Sequence, residues 1–248
     1  MTIPASEFEF RHRTWFILGI FCIGLACYRI DPRNSGVVVA RALHSRIALL
    51  HALSFRTSIR LVFIVGAFVV AIGAMIRAWG AAYLRADVVQ DSSLRSERLV
   101  ADGPFRYSRN PLYLGLLLGV FGAGVLVSRL GWIVQMVLAV VFCYRLIFRE
   151  EAELVRVQGE NFLAYCRAVP RLVPALKPRV SASGARPHWR EAFATQTPWW
   201  AIAIGELAYA ASLRLSIAIL VALVGVPIHL AKKRAIASRQ VAVVKVVK

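Results

Sequence analysis

The chain has 248 residues, 58% of them hydrophobic, and a mean hydropathy of +0.62; 31 Lys and Arg against 13 Asp and Glu give a formal net charge of +18. This is too apolar for a soluble globular domain, and the apolar residues fall in long continuous blocks rather than the alternating pattern of a membrane barrel. The expectation is an all-α, polytopic helical membrane protein with about five transmembrane helices. In a soluble chain the basic excess would suggest nucleic acid. Here it flanks apolar blocks, so the lipid bilayer and its anionic headgroups are the expected partners, with no nucleic acid and no obligate protein partner.

Residues 1–13 form a short polar lead. Residues 14–28 are apolar but slightly short of the roughly twenty residues a span needs, and snorkelling Arg11, Arg13 and Arg29 can lengthen them. No small-residue cleavage pattern follows, so the block reads as a retained span. Residues 31–36 are turn-rich. Residues 37–55 carry Arg41, His44, Arg46 and His51 at helical spacings, as in an interfacial helix or one packed on the bundle. Residues 59–78 are a clear span, and a polar stretch over 77–108 follows, with a loop expected at Gln90-Asp-Ser-Ser.

Residues 112–127 and 131–148 are two further apolar blocks joined only by Ser128-Arg-Leu. They predict a tight helical hairpin whose open ends lie on one membrane side, which the basic-loop rule makes cytoplasmic. Residues 149–158 continue the second helix, Gly159 is a helix stop, and 160–169 form a short helix ended by Pro170. Residues 172–187 read as a linker. In the apolar region 189–230, Trp199 and Trp200 read as interface anchors, while Glu206 and Arg214 interrupt the pattern. An interfacial helix followed by a span near 213–230 is favoured, with a short hairpin turning at Arg214 as the alternative. Residues 232–248 are a basic tail. The basic-loop rule does not close over this scheme, because a single final span puts that tail outside. Three segments result: N-terminal membrane helices over 1–76, a core over 77–178, and 179–248 carrying linker, C-terminal membrane helix and tail.

Two stretches carry chemistry. The first is Leu99-Val-Ala-Asp-Gly-Pro-Phe-Arg-Tyr-Ser-Arg-Asn-Pro-Leu-Tyr-Leu-Gly115. Asn110 is expected to cap a helix through its side-chain oxygen, with Pro111 at the first helical position. A helix N-terminus flanked by Arg106 and Arg109 suits a carboxylate or phosphate. The second stretch places three of the 13 acids, Glu150, Glu151 and Glu153, directly below an apolar helix. Acids at that depth need water, a basic partner or a cationic ligand. The hairpin brings both stretches to one face, a combination that fits a zwitterionic ligand. The four cysteines form no CxxC pair and the five histidines show no ligand spacing, so no disulfide framework or metal site is expected.

In order and spacing these stretches resemble the membrane methyltransferases typified by isoprenylcysteine carboxyl methyltransferase and bacterial phospholipid methyltransferases. The resemblance rests on Gly103-Pro-Phe105, Arg109-Asn-Pro-Leu-Tyr-Leu-Gly115, Glu150-Glu151, Gly159-Glu-Asn-Phe162, Tyr165 and Val169-Pro-Arg171, and covers roughly 99–174. It implies S-adenosylmethionine as cofactor, held in a cytosol-facing pocket of the helices. Leu99, Val100, Gly103 and Phe105 would wall it; Arg109, Asn110, Pro111, Leu112 and Tyr113 would hold its amino-acid end; Glu150 and Glu151 would take a polar group. Arg145, Arg149 and Tyr165 are the implied substrate contacts, and no catalytic base is identified. The implied reaction is methyl transfer to a membrane-dissolved amphiphile, an isoprenoid carboxylate or lipid headgroup. The chain departs from the pattern at Asn110, where histidine is usual, and at Leu146, where isoprenylcysteine enzymes carry a substrate-contacting arginine. Two other readings stay open: an NADPH-dependent, sterol-reductase-like enzyme, and a non-enzymatic membrane protein with an inert site.

Overall fold

A computed structural model describes residues 4–84, 101–217 and 220. The described residues are helical, with one isolated bridge between Asn34 and Ser128. The helices are α1 (Glu7–Arg11), α2 (Arg13–Ala26), α3 (Ser35–Arg46), α4 (Ala48–His51), α5 (Phe55–Leu84), α6 (Pro111–Ala123), α7 (Arg129–Gln158), α8 (Glu160–Ala168), α9 (Trp189–Thr195) and α10 (Thr197–Ser212).

Among the described residues, α5 and α7, 30 residues each, are long and apolar enough to cross a membrane. At 1.5 Å per residue each is about 45 Å long, more than the ~30 Å hydrocarbon core. Their outward faces are apolar: Ile64, Phe68 and Ile72 on α5 and Ile133, Val137 and Val141 on α7 are exposed at four-residue spacing. A soluble helix would turn polar residues outward there. The block over 112–127 forms a shorter apolar stretch, α6 continuing into a 3-10 turn to Leu126.

The molecule is assembled around the α5–α6 crossing. Gly73 and Gly115 bring the two backbones together: a Cβ on either would stand 2.5 Å from the carbonyl oxygen of the other. Small residues that permit such approach are the usual adhesive between helices in lipid. The core beside this crossing contains Val70, Ala74, Leu116, Val120, Cys143 and Trp199. Trp199 corrects the sequence reading. It is only 8% exposed and is part of this core rather than an interface anchor, because the bare Cα of Gly119 leaves room for its ring.

At the end away from the charged loops, the turn-rich segment docks on the hairpin turn. Asn34 caps α3 by accepting from the Val37 amide (2.9 Å) and donates to the Val125 carbonyl (3.0 Å). The Ser35 amide donates to the Val127 carbonyl (2.9 Å), and Arg129 pairs with Asp31 at 3.1 Å. Residues 37–55 form α3 and α4, and Ala40 of α3 is buried in a cluster with Val62 and Phe63 of α5. This is the packed-on-the-bundle alternative of the sequence reading.

Gly159, at φ +53°, breaks the backbone between α7 and α8, where the helix stop was expected. At the C-terminal side, α10 ends at Leu213 in the left-handed region, so the break falls beside Arg214, the turn of the alternative hairpin. The expected loop at Gln90, most of the expected span over 213–230 and the basic tail lie outside the described residues.

Candidate functional site

The hairpin of α6 and α7 returns to the end where the loop over 101–110 and helix α8 gather. There it encloses a cavity of about 500 Å³, within the usual range for small-molecule and cofactor sites. Its wall brings together Phe105, Arg109, Asn110, Pro111, Leu112, Tyr113, Glu150, Glu151 and Tyr165 from the sequence-predicted set. Arg13 and Ile17 of α2, Arg77 of α5, Gln158 of α7 and Phe162 of α8 complete much of the rest.

Two contacts join the hairpin ends. The Tyr113 hydroxyl donates to Glu150 at 2.8 Å, and Asn110 Nδ2 donates to Glu151 at 3.2 Å. Asn110 therefore corrects the capping expectation. Its backbone flanks α6 and Pro111 is the first helical residue, but its side chain makes no cap hydrogen bond. The amide instead donates to Glu151 and to the Arg171 carbonyl (3.0 Å), two acceptors that outcompete the local turn. The Leu114 amide bonds to the Asn110 carbonyl (3.1 Å), which leaves the amides of Leu112 and Tyr113 as first-turn donors without an intrahelical partner.

Arg171 is a residue that sequence reasoning did not single out. Its guanidinium grips Glu151 through Nε (3.0 Å) and Nη2 (2.9 Å), while Arg109 stands farther off at 3.6 Å. Arg109 is only 10% exposed, and its Nε has no partner among the described residues. A buried, underused guanidinium beside a helix N-terminus favours an anion. The signal for Arg171 was its place directly after Val169-Pro170 in the motif.

The segment read as a linker is laid along the motif loop. The Arg109 amide donates to the Pro170 carbonyl, the Ala175 amide to the Tyr107 carbonyl and the Arg179 amide to the Arg106 carbonyl, each at 2.9 Å. Asp102, 3% exposed, accepts from the Ser183 amide (2.7 Å), the Ala185 amide (3.0 Å) and the Ser183 hydroxyl. Burial works against the Asp102 carboxylate, but these hydrogen bonds and nearby Arg106 hold its pKa below the ordinary range. Tyr165 donates to the Phe105 carbonyl at 2.7 Å, and burial pushes its phenol pKa up, so it serves as a neutral donor.

The structure does not bring every predicted residue to the cavity. Arg145 pairs with Glu9 at 2.7 Å, and Arg149 donates to the Ala5 carbonyl (3.0 Å) and to Glu7. Both occupy the outer side of α7, where the N-terminal segment supplies acids, and neither lines the cavity. Gly103 lies against the Tyr83 ring, outside the lining. Leu99 and Val100 lie outside the described residues. Among the described residues, no three His, Cys, Asp or Glu side chains gather as a metal site.

Comparison with known proteins bears on the same segment. The chain is 30% identical over 100 residues to the cobalt-zinc-cadmium resistance protein CzcN of Cupriavidus metallidurans, which is 40% of this chain and 43% of that protein. It is 29% identical over 100 residues to the nickel-cobalt-cadmium resistance protein NccN of Alcaligenes xylosoxydans xylosoxydans, 40% of this chain and 44% of that protein. The chain thus matches less than half the length of these curated relatives. No solved structure matches it. Residues 61–161 match the family model of the phospholipid methyltransferases, and most of α5, the hairpin and the cavity carboxylates lie inside that segment.

Proposed function

We propose that the protein transfers a methyl group from S-adenosylmethionine to an amphiphile dissolved in the membrane, an isoprenoid carboxylate or a lipid headgroup, at a site on the cytoplasmic face. The observation that carries this reading is the cavity at the start of α6, inside the family-matched segment, where anion-seeking and cation-seeking groups face one space. Arg109 with an unpartnered Nε and the first-turn amides suit the cofactor's carboxylate; Glu150 suits its ammonium. Tyr113 and Phe105 offer aromatic faces to a sulfonium. The cofactor supplies an already activated methyl group, so the protein's task is alignment and exclusion of water. The C–S bond breaks as the bond to the acceptor forms, and the sulfur leaves as a neutral thioether. A carboxylate acceptor needs no base. In this reading α2, α5, α6, α7 and α10 are the membrane-embedded helices.

The test is equilibrium binding of S-adenosylmethionine and of NADPH to the purified chain in lipid nanodiscs. Saturable binding of the sulfonium ligand, weakened about tenfold or more by Glu150→Gln and by Asn110→Ala, is the expected result. Binding of NADPH alone transfers the site to the reductase class. Binding of neither leaves the motif structural and ends the enzyme reading.

A further inference from the structure

The cavity contains more positive charge than the family motif accounts for. Its two carboxylates are engaged: Glu150 accepts from Tyr113, and Glu151 from Asn110 and Arg171. On the wall formed by α2 and α5 stand Arg13 and Arg77, and among the described residues neither forms an ion pair.

Arg77 is held in place by neutral acceptors. Its Nε donates to Gln196 Oε1 and its Nη1 to the Leu112 carbonyl, both at 2.8 Å, and its guanidinium lies 5.9 Å from the Trp199 ring centre. Gln196 is itself 3% exposed, so the guanidinium is fixed from behind. Nη2 has no hydrogen bond to a described residue. Arg13 is exposed along its length yet lines the cavity, with Nη1 donating to the Phe10 carbonyl (3.3 Å) and the guanidinium 4.8 Å above the Phe10 ring. Arg13 also feels the Glu150 carboxylate across the cavity, but the neutral partners of the two guanidinia leave both charged, and no described residue forms an ion pair with either. Two of them on one cavity wall are a receptor for a phosphate or carboxylate.

We propose that Arg13 and Arg77 bind the anionic group of the methyl acceptor, so that the acceptor is an anionic amphiphile. The proposal rests on the methyltransferase reading for the word acceptor, and on the arginines for the word anionic. Arg13 stands on α2, away from the α6 start assigned above to the cofactor's carboxylate, while Arg77 reaches the Leu112 carbonyl of that start from the α5 side. Ile17, one turn after Arg13 on α2, lines the same wall and offers an apolar surface to the acceptor's chain. Arg13 also lies outside residues 61–161, so this selectivity belongs to the chain's own N-terminal helix rather than to the family segment.

The experiment uses the full chain in nanodiscs of zwitterionic lipid. Binding of hexyl phosphate, hexanoate and hexanol is measured by calorimetry for the parent chain, Arg13→Gln and Arg77→Lys, with S-adenosylmethionine titrated in parallel. The expected result is a preference of about tenfold or more for the anions over the alcohol. Each substitution should cut that preference several-fold, and Arg13→Gln should leave S-adenosylmethionine affinity within about twofold. Equal binding of anion and alcohol overturns the proposal, as does a preference that neither substitution moves. Loss of S-adenosylmethionine affinity with the preference intact assigns the arginines to the cofactor's carboxylate and also overturns it. A parent chain that keeps the anion preference but binds no S-adenosylmethionine sinks the methyltransferase reading instead, and leaves an anion site that serves no acceptor. Arg77 braces Gln196 and Leu112, so thermal unfolding accompanies that variant. Arg13→Gln removes only a contact within its own helix region and keeps the test decisive if Arg77→Lys fails to fold.

Discussion

Glu151 shows how a carboxylate is kept at the border of an apolar helix. It is 12% exposed and has three donors, two on Arg171 and one on Asn110. Removing Arg171 leaves the buried charge with Asn110 and a distant Arg109, which costs more than the bond itself was worth, because the carboxylate stays desolvated. Arg171→Ala is therefore expected to lose about 1–3 kcal/mol in denaturant unfolding, and Arg171→Lys to recover part of it. Unchanged stability for Arg171→Ala would mean that solvent already serves Glu151. At this scale the sequence was legible where residues sit next to a motif. Asn110, Tyr113 and the Glu150-Glu151 pair could be placed on one face because the hairpin is forced by its short turn. The role of Asn110 was not legible, since a cap uses local partners and the competing acceptors come from 41 and 61 positions away. Arg13 and Arg77 were invisible for the same reason: each reads as an ordinary basic flank until the fold sets them on a shared wall.

The element that positions the site is the α5–α6 pair. Gly66, Gly73 and Gly80 recur at seven-residue intervals along α5, and each faces atoms of the hairpin helix or its turn. This spacing is a helical face, and it was available in the sequence, but an apolar block alone does not say which face is the contact. A side chain at Gly73 meets backbone atoms of Gly115 and Gly119, at 2.5 and 2.9 Å, rather than the flexible end of a neighbour. Gly73→Val therefore forces the helices apart. The expected loss exceeds the ~1–3 kcal/mol of an ordinary overpacked core, and Gly73→Ala lies between. Thermal unfolding in detergent measures the series, and S-adenosylmethionine binding should fall with it, because α5 and α6 supply Arg77, Tyr113 and Leu112 to one cavity. A Gly73→Val protein as stable as the parent would show that the crossing has room for a side chain. The length of α6 was the less readable part. The apolar run continues to Val127, yet the helix tightens into a 3-10 turn at Gly124, where a Cβ would meet the Trp132 indole.

At the scale of the whole molecule, chain after the family segment is tied back to its motif loop. Residues 175–188 run from the Tyr107 carbonyl to the Ala82 carbonyl, and Asp102 holds the middle of this strap through Ser183 and Ala185. Composition alone made the stretch a linker, because its prolines and glycine signal irregular backbone but not whether that backbone is docked. The tie has a pH sign. The Asp102 pKa in the folded protein is depressed below its ordinary value, so the carboxylate contributes stability that is complete above the unfolded value of about 3.9. That contribution is lost as pH falls through the lower folded value. Hydrogen exchange of the Ser183 and Ala185 amides, corrected for intrinsic rate, should thus be level from neutral pH to about 5 and lose protection only below about 4. Asp102→Asn keeps an oxygen acceptor but loses the charge and one acceptor site, so the same amides should lose about 1–3 kcal/mol of protection already at neutral pH. A strap that opens between pH 5 and 7, or that is indifferent to Asp102→Asn, would be held by the Arg106 and Tyr107 backbone bonds instead, and Asp102 would be a buried acceptor with no part in tying down the strap.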